Sequence, residues 1–282
     1  MPKLSFIKKQ VKTCLNKSKS LLNLNTLNEL ESDGNFSWIT RFRLLPKTKV
    51  TLPFTLGISC RGCAFVDHID KDPFAKIVEQ VLVSDGDDHI IEYLLKCYEN
   101  EQKLVGETPM RELAPAAFSN VPPWAIVMPW EKISLQEKLR LYLELYKANR
   151  GMYGANLRTT QSDSPSSFLY STAAARSQVE QTRKLVCDIR SRGIIETGDL
   201  PLVYVLRRGR QWKWCMTGEG NHRAYIFSLM GEPSMLAEVY AFVDRDRASE
   251  WPNVLNGNYT VEEALPVFDS YFEGRNCIRG VV

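Results

Sequence analysis

The sequence predicts an α/β (α+β) protein, a mixed N-terminal region followed by a C-terminal domain in which helices and strands alternate. Three observations carry this. Between residues 173 and 243 the apolar pattern switches from helical spacing to strand runs and back, with glycine at the junctions. Residues 33–66 read as extended and are followed by helical patterns. Between these regions, residues 150–172 are rich in Gly, Ser, Thr and Asp and read as a linker or an ordered loop. The organisation expected is a leader over 1–30, a mixed α/β region over 31–150 and a C-terminal domain over 171–282.

The leader holds Lys3, Lys8, Lys9, Lys12, Lys17 and Lys19, with no acidic residue before Glu29. Leu4, Ile7, Val11 and Leu15 fall at helical spacing. Three readings stand: a basic amphipathic segment (residues 1–28) in peripheral contact with an anionic membrane surface, a frayed, solvated leader, or a helix docked on the body. Next, Trp38–Leu45 alternates, and Val50–Ile58 is β-branched and interrupted by Pro53. A helix is expected from Asp72-Pro73, with proline at its first position, Asp70 or Asp72 as cap, and an apolar face of Phe74, Ile77, Val78, Val81 and Leu82. Asp85–His89 reads as a turn leading into a second helix, His89–Lys103. A Pro-rich stretch, Pro109–Pro129, precedes a periodic helix over Leu135–Asn149.

In the C-terminal part, Ala173–Gly193 reads as a helix with Val179, Thr182, Val186 and Ile189 on one face. Leu202–Leu206 reads as a buried strand, Arg208-Gly209-Arg210 as a turn and Gln211–Met216 as the return strand. A glycine-bearing turn, Thr217–Asn221, leads to a short helix, His222–Met230, stopped by Gly231. A further strand over Leu236–Val243 and a closing helix over Val261–Tyr271 complete the pattern.

Of 282 residues, 44% are hydrophobic and 24% charged, which is ordinary globular composition. Net charge is +3 and the pI about 8.4, below the roughly 9 that marks a basic nucleic-acid-binding domain. Seven cysteines, an odd number, occur at 14, 60, 63, 97, 187, 215 and 277 with no apolar signal core ahead of them. They read as reduced thiols of a cytoplasmic protein. No run approaches a membrane span, and no repeat, Walker-type loop or Gly-x-Ser-x-Gly elbow occurs.

The segment with the clearest chemistry is Thr217-Gly218-Glu219-Gly220-Asn221-His222-Arg223. The first turn of a helix carries N–H groups without intrahelical partners, and its dipole favours negative charge. Gly218 and Gly220 permit left-handed backbone and close approach. His222 and Arg223 add donors suited to phosphate, and Glu219 is the nearest carboxylate. The bland counterpart is a plain strand–turn–helix with a surface arginine and Asn221 as a helix cap.

The order helix, Gly, strand, hairpin, strand, Gly-x-Gly-Asn-His-Arg, helix, Gly, strand, from about Ser171 to Val243, resembles the ParB/sulfiredoxin superfamily. ParB-type members carry Gly-Glu-Arg-Arg and bind CTP and DNA. Sulfiredoxins carry Gly-Gly-Cys-His-Arg and use ATP to rescue oxidised cysteine. Free-serine kinases carry Asp-Gly-His-His-Arg and phosphorylate a small hydroxyl compound. Here Glu219-Gly220-Asn221-His222-Arg223 is most similar to the kinase branch: Asn221 replaces the sulfiredoxin cysteine, and His222 fills the place of one of the two ParB arginines. Residues 1–150 lie outside the resemblance.

The resemblance implies a nucleotide-dependent phosphotransferase that takes ATP, or another nucleoside triphosphate, with Mg²⁺. Gly218, Gly220, Asn221, His222 and Arg223 would hold the phosphates. His222 and Arg223 would neutralise developing charge, and Glu219 or, on the preceding helix, Glu180 would accept the hydroxyl proton. Arg176, Arg207 and Arg208 are further candidates for the nucleotide, each also readable as a solvated surface arginine. Similarity to ParB-like proteins associated with bacterial surface-polysaccharide genes implies an acceptor from that metabolism. The alternatives are a non-catalytic nucleotide-binding switch and a DNA-associated ParB-like protein, the latter disfavoured by the small net charge.

Cys60 and Cys63 form half a zinc site, with His68, His89 and Cys97 as neighbours, but position 73, where a knuckle continues, is proline. No metal is assigned. Trp124 and Trp130, among prolines, read either as a platform for a sugar ring or partner, or as core. Cys187 and Cys215 read as packing groups.

Overall fold

The computed structural model describes residues 48–66, 72–84, 86–101, 113–121, 125–141, 172–192, 200–217 and 220–274. The strand expected at Leu202 runs Leu202–Arg208 (β3), and its side chains alternate between two cores. Val203 and Val205 enter one cluster; Tyr204 and Leu206 enter the other. An unbroken apolar run is what a strand covered on both faces requires. β3 therefore lies inside a three-layer arrangement, with helices on one face of the sheet and helices plus irregular chain on the other.

The sheet has five strands in the order β1-β5-β3-β4-β2. β3 turns at Gly209 into antiparallel β4 (Gln211–Met216), and β5 (Ser234–Asp244) lies parallel to β3 on its other side. Both outer strands come from the N-terminal region. β1 (Thr48–Pro53) pairs antiparallel with β5, and the two-residue β2 (Gly57–Ile58) pairs parallel with β4. The expected linker, 150–172, lies almost wholly outside the described residues; the described strands from either side of it share one sheet.

Local chemistry explains the join. Between β1 and β2 a single helical turn, Phe54–Leu56, brings Gly57 against Trp214 of β4. A Cβ on Gly57 would fall 2.3 Å from the indole, so only glycine admits this approach. The indole Nε1 donates to Pro53 O at 2.8 Å, and Phe54 and Phe65 pack within 6 Å of the ring.

Helices α1 (Pro73–Val83), α2 (Asp88–Glu101), α3 (Thr172–Arg192) and α4 (Asn221–Leu229) cover the first face. Asp72 caps α1, accepting from Phe74 N at 3.0 Å, with Pro73 in the first turn. Its expected apolar face is buried, Leu82 only in part. On α3, Val179, Thr182 and Val186 are buried and Ile189 packs at the margin. Arg183 of α3 pairs with Asp87 and donates to Ser84 O at 2.9 Å, tying the α1–α2 turn to α3.

On the second face lie α5 (Pro252–Leu255) and α6 (Val261–Glu273), with the turns Ala116–Phe118 and Arg245–Glu250 and the buried stretch 125–131. α6 opens on a capping box of Thr260 and Glu263. The irregular stretch is held by side chains. Asn253 Nδ2 donates to Met128 O (2.9 Å) and Glu131 O (2.7 Å), and the Tyr259 hydroxyl donates to Val127 O (2.8 Å). Trp130 is not a surface platform: it is buried edge-on against Trp251, Phe268 and Tyr271. Residues 135–141 are helical, as expected from their periodicity. The leader, Trp38–Leu45, His68, Asp70, Asp85 and Trp124 fall outside the described residues. No described helix is long and apolar enough to cross a membrane.

The cysteines correct the uniform reading of reduced thiols. Cys63 is disulfide-bonded, while Cys60, Cys97, Cys187 and Cys215 are not in disulfides. A sulfur already bonded to sulfur offers no thiolate to zinc, which ends the half-site reading. Cys215 packs in the second core, but Cys187 is exposed on α3 rather than a packing group.

Candidate phosphate site at the start of α4

The turn between β4 and α4 is pinned at both ends. Thr217 donates to Leu202 O through its N–H (3.1 Å) and its hydroxyl (3.1 Å), which locks the end of β4 to the start of β3. Gly220 is the N-cap of α4, left-handed at φ 78° and ψ 5°. A Cβ there would stand 2.7 Å from Pro201 Cβ and 2.8 Å from Pro201 Cα. Backbone conformation and space both demand glycine at this position.

Asn221, His222 and Arg223 form the first turn of α4, which holds no acidic residue and no side-chain cap to Gly220. By helix geometry their N–H groups have no intrahelical acceptor. Ala224, Tyr225, Ile226 and Phe227 behind them are buried, so the turn sits on a fixed base. Its far end closes at left-handed Gly231, with Glu232 N returning to Phe227 O at 3.0 Å.

His222 stacks on Phe74, centroids 4.3 Å apart and planes at 15°, while the residue keeps an exposed side. Burial of the stacked face pushes the imidazole below its ordinary pKa of 6.5. A neutral imidazole donates from one nitrogen only. His222 therefore offers a hydrogen bond, and the charge expected of the pair falls to Arg223. Tyr225, one turn on, is buried, and burial and then the Asp72 carboxylate push its phenol well above the ordinary value.

The remaining expected residues divide. Gly218 and Glu219 lie outside the described residues. Glu180 and Arg176 are exposed on α3, and no described hydrogen bond or ion pair joins either to Asn221, His222 or Arg223. Arg207 and Arg208 sit at the other end of β3, which at ~3.3 Å per residue is roughly 20 Å from Pro201. Arg207 Nε donates to Gly209 O at 2.9 Å. Arg208 meets Glu273 at 2.8 Å and Asp269 at 3.6 Å and lies 4.4 Å over Phe272. It secures α6 to the hairpin and has no place at the turn.

Two partners of the turn were not anticipated, Phe74 under His222 and Asp72 under Tyr225. Asp72 was legible only as a helix cap. The spacing of His222 and Tyr225, three apart on a helix, was the available signal that one neighbour meets both. No group of three or more potential metal-binding side chains occurs among the described residues.

No family model, no curated protein and no solved structure matches this chain.

Proposed function

We propose that the chain binds the phosphates of a nucleoside triphosphate at the start of α4 and, with Mg²⁺, transfers a phosphoryl group to a small hydroxyl compound. One observation carries the reading: Gly220 is held left-handed against Pro201, at the mouth of a helix whose first turn is Asn221-His222-Arg223. That turn presents backbone N–H groups, a guanidinium and an imidazole donor, and holds no acidic residue of its own. Phosphoryl transfer asks mainly for positioning and charge stabilisation, and a first turn seated on a buried helix supplies positioning. Glu219 is the proposed acceptor of the hydroxyl proton, being next to the cap, and Glu180 is second. The acceptor class follows the resemblance to proteins of surface-polysaccharide metabolism. Such chemistry belongs in the cytoplasm, and the Cys63 disulfide is the observation that stands against that setting.

The test is a thermal-shift titration with ATP, CTP, GTP and ADP, with and without Mg²⁺, on the wild type and Arg223→Ala. Ligand at about 100 times its dissociation constant stabilises a fold by about 2.7 kcal/mol. Stabilisation of the wild type by one nucleotide, lost in Arg223→Ala, is the expected result. No shift with any nucleotide sinks the reading. Nucleotide consumption in the presence of small hydroxyl compounds, abolished in Glu219→Gln with binding retained, separates transfer from binding alone.

A further inference from the structure

His222 and Tyr225 leave α4 on one face, and both are met by the start of α1. The Phe74 ring lies against the His222 imidazole, and the Tyr225 ring lies 5.2 Å from the same phenyl. The Tyr225 hydroxyl donates to Asp72 Oδ2, across 153 residues of sequence. Asp72 is fully buried, and its oxygens are shared out. Oδ1 accepts from Phe74 N at 3.0 Å; Oδ2 also accepts from the Ser59 hydroxyl at 2.9 Å. Arg61 Nε stands 4.0 Å from Oδ1. One carboxylate thus holds the phenol that anchors α4 and the backbone of the residue that supports the imidazole.

Capping α1 does not require this. Serine or asparagine caps a helix as well as aspartate, and a buried carboxylate is costly unless its oxygens are all bonded. What aspartate adds is a second oxygen that reaches another helix. Two contacts one turn apart on one face fix the rotation of α4 about its axis. A rotation of about 20° moves a side-chain tip some 5–6 Å from the axis by roughly 2 Å. Misplacement of about 1 Å is enough to cost positioned chemistry about a hundredfold.

Resting on the phosphate-binding reading above, we propose that Asp72 is a positioning residue of that site: through Tyr225 and Phe74 it sets the rotation of α4 and hence the direction in which His222 and Arg223 present their donors. Ser59, Asp72 and Phe74 then belong to the site, although they lie outside the segment that bears its motif.

The test uses the full chain and whichever of MgATP, MgCTP or MgGTP binds the wild type. Dissociation constants are measured for wild type, Tyr225→Phe, Asp72→Asn and Phe74→Leu, with the folded fraction of each set by urea titration. The ring-proton shifts of His222 are recorded by NMR without nucleotide. Tyr225→Phe and Asp72→Asn are expected to bind at least tenfold more weakly while folded, and to move the His222 resonances as its stacking on Phe74 changes. Wild-type affinity and unmoved resonances in folded variants overturn the positioning role and leave the phosphate reading standing. If both variants fail to fold, Phe74→Leu carries the same decision. A wild type that binds none of the three nucleotides removes the phosphate reading and the positioning role with it.

Discussion

Replacing Gly220 by alanine should destabilise the fold by about 2–5 kcal/mol, and the sum can be taken apart. The first part is conformational: an L-residue held left-handed, here at φ 78°, costs about 1–2 kcal/mol. The second is space. The new Cβ would stand 2.7 Å from Pro201 Cβ and 2.8 Å from its Cα. One of those atoms is backbone, so no side-chain rotation relieves the overlap, and forced shifts in packed regions cost about 1–3 kcal/mol. The same helix offers a control. Gly231, just beyond its C-terminal end, has φ 80° and nothing within 4 Å of an added Cβ. Gly231→Ala should therefore show the conformational part alone, about 1–2 kcal/mol. Urea denaturation at equilibrium, with the m-value checked for constancy, measures both. If the two alanine variants agree within about 0.5 kcal/mol, a difference typical of unstrained surface changes, Pro201 does not press on the turn. The case for a preformed cradle then fails with it.

Other outcomes can be stated more briefly. Asn253→Ala removes the side-chain donor to Glu131 O and to Met128 O, the latter still accepting from Glu131 N, and should cost about 1–3 kcal/mol, as for one buried group losing its bond; urea titration decides. His222 has a folded pKa below 6.5, so the unfolded chain takes up its proton first as pH falls. Its stability contribution is complete above 6.5 and is lost as pH drops from there through the folded value; the wild type should lose stability relative to His222→Gln on going from about pH 7 to 5. Peptide mapping under non-reducing conditions should find Cys63 in a cross-linked peptide and Cys60 alkylated as a free-standing thiol-bearing peptide; the reverse assignment would contradict the structure.

Elements whose determinants are local were readable from the sequence. Asp72-Pro73 announced α1 because cap and first-turn proline act within four residues. Arg208-Gly209-Arg210 announced the β3–β4 hairpin because only glycine takes φ 60° there without strain. The start of α4 was visible to within a residue for the same reason, but its cap is Gly220 and not Asn221. The capping box at Thr260 was also written in the sequence, as Thr-x-x-Glu, and went unread. What no local pattern could show was the pairing of β1 with β5 and β2 with β4, since strand alternation says which faces are apolar and not which neighbour supplies the ladder. The distance of Arg207 and Arg208 from the motif was hidden for a related reason: proximity in sequence does not show that a whole strand length separates them from Pro201. The link from Asp72 to Tyr225 depends on that same long-range join and was invisible until the sheet was assembled.

Because the two outermost strands of the sheet, β1 and β2, are made early in the chain and their partners late, its assembly is late. The indole of Trp214 meets Pro53 across 161 residues. At the roughly 5–20 residues per second of protein synthesis, β1 and β2 wait about ten to thirty seconds before β4 exists. Through that interval their ladder groups have no native partners, which is the condition in which exposed strand segments pair wrongly with other chains. Nascent chains of this protein should therefore lean on holdase chaperones from the moment residues 48–58 emerge, and yield of folded product should rise when synthesis is fast.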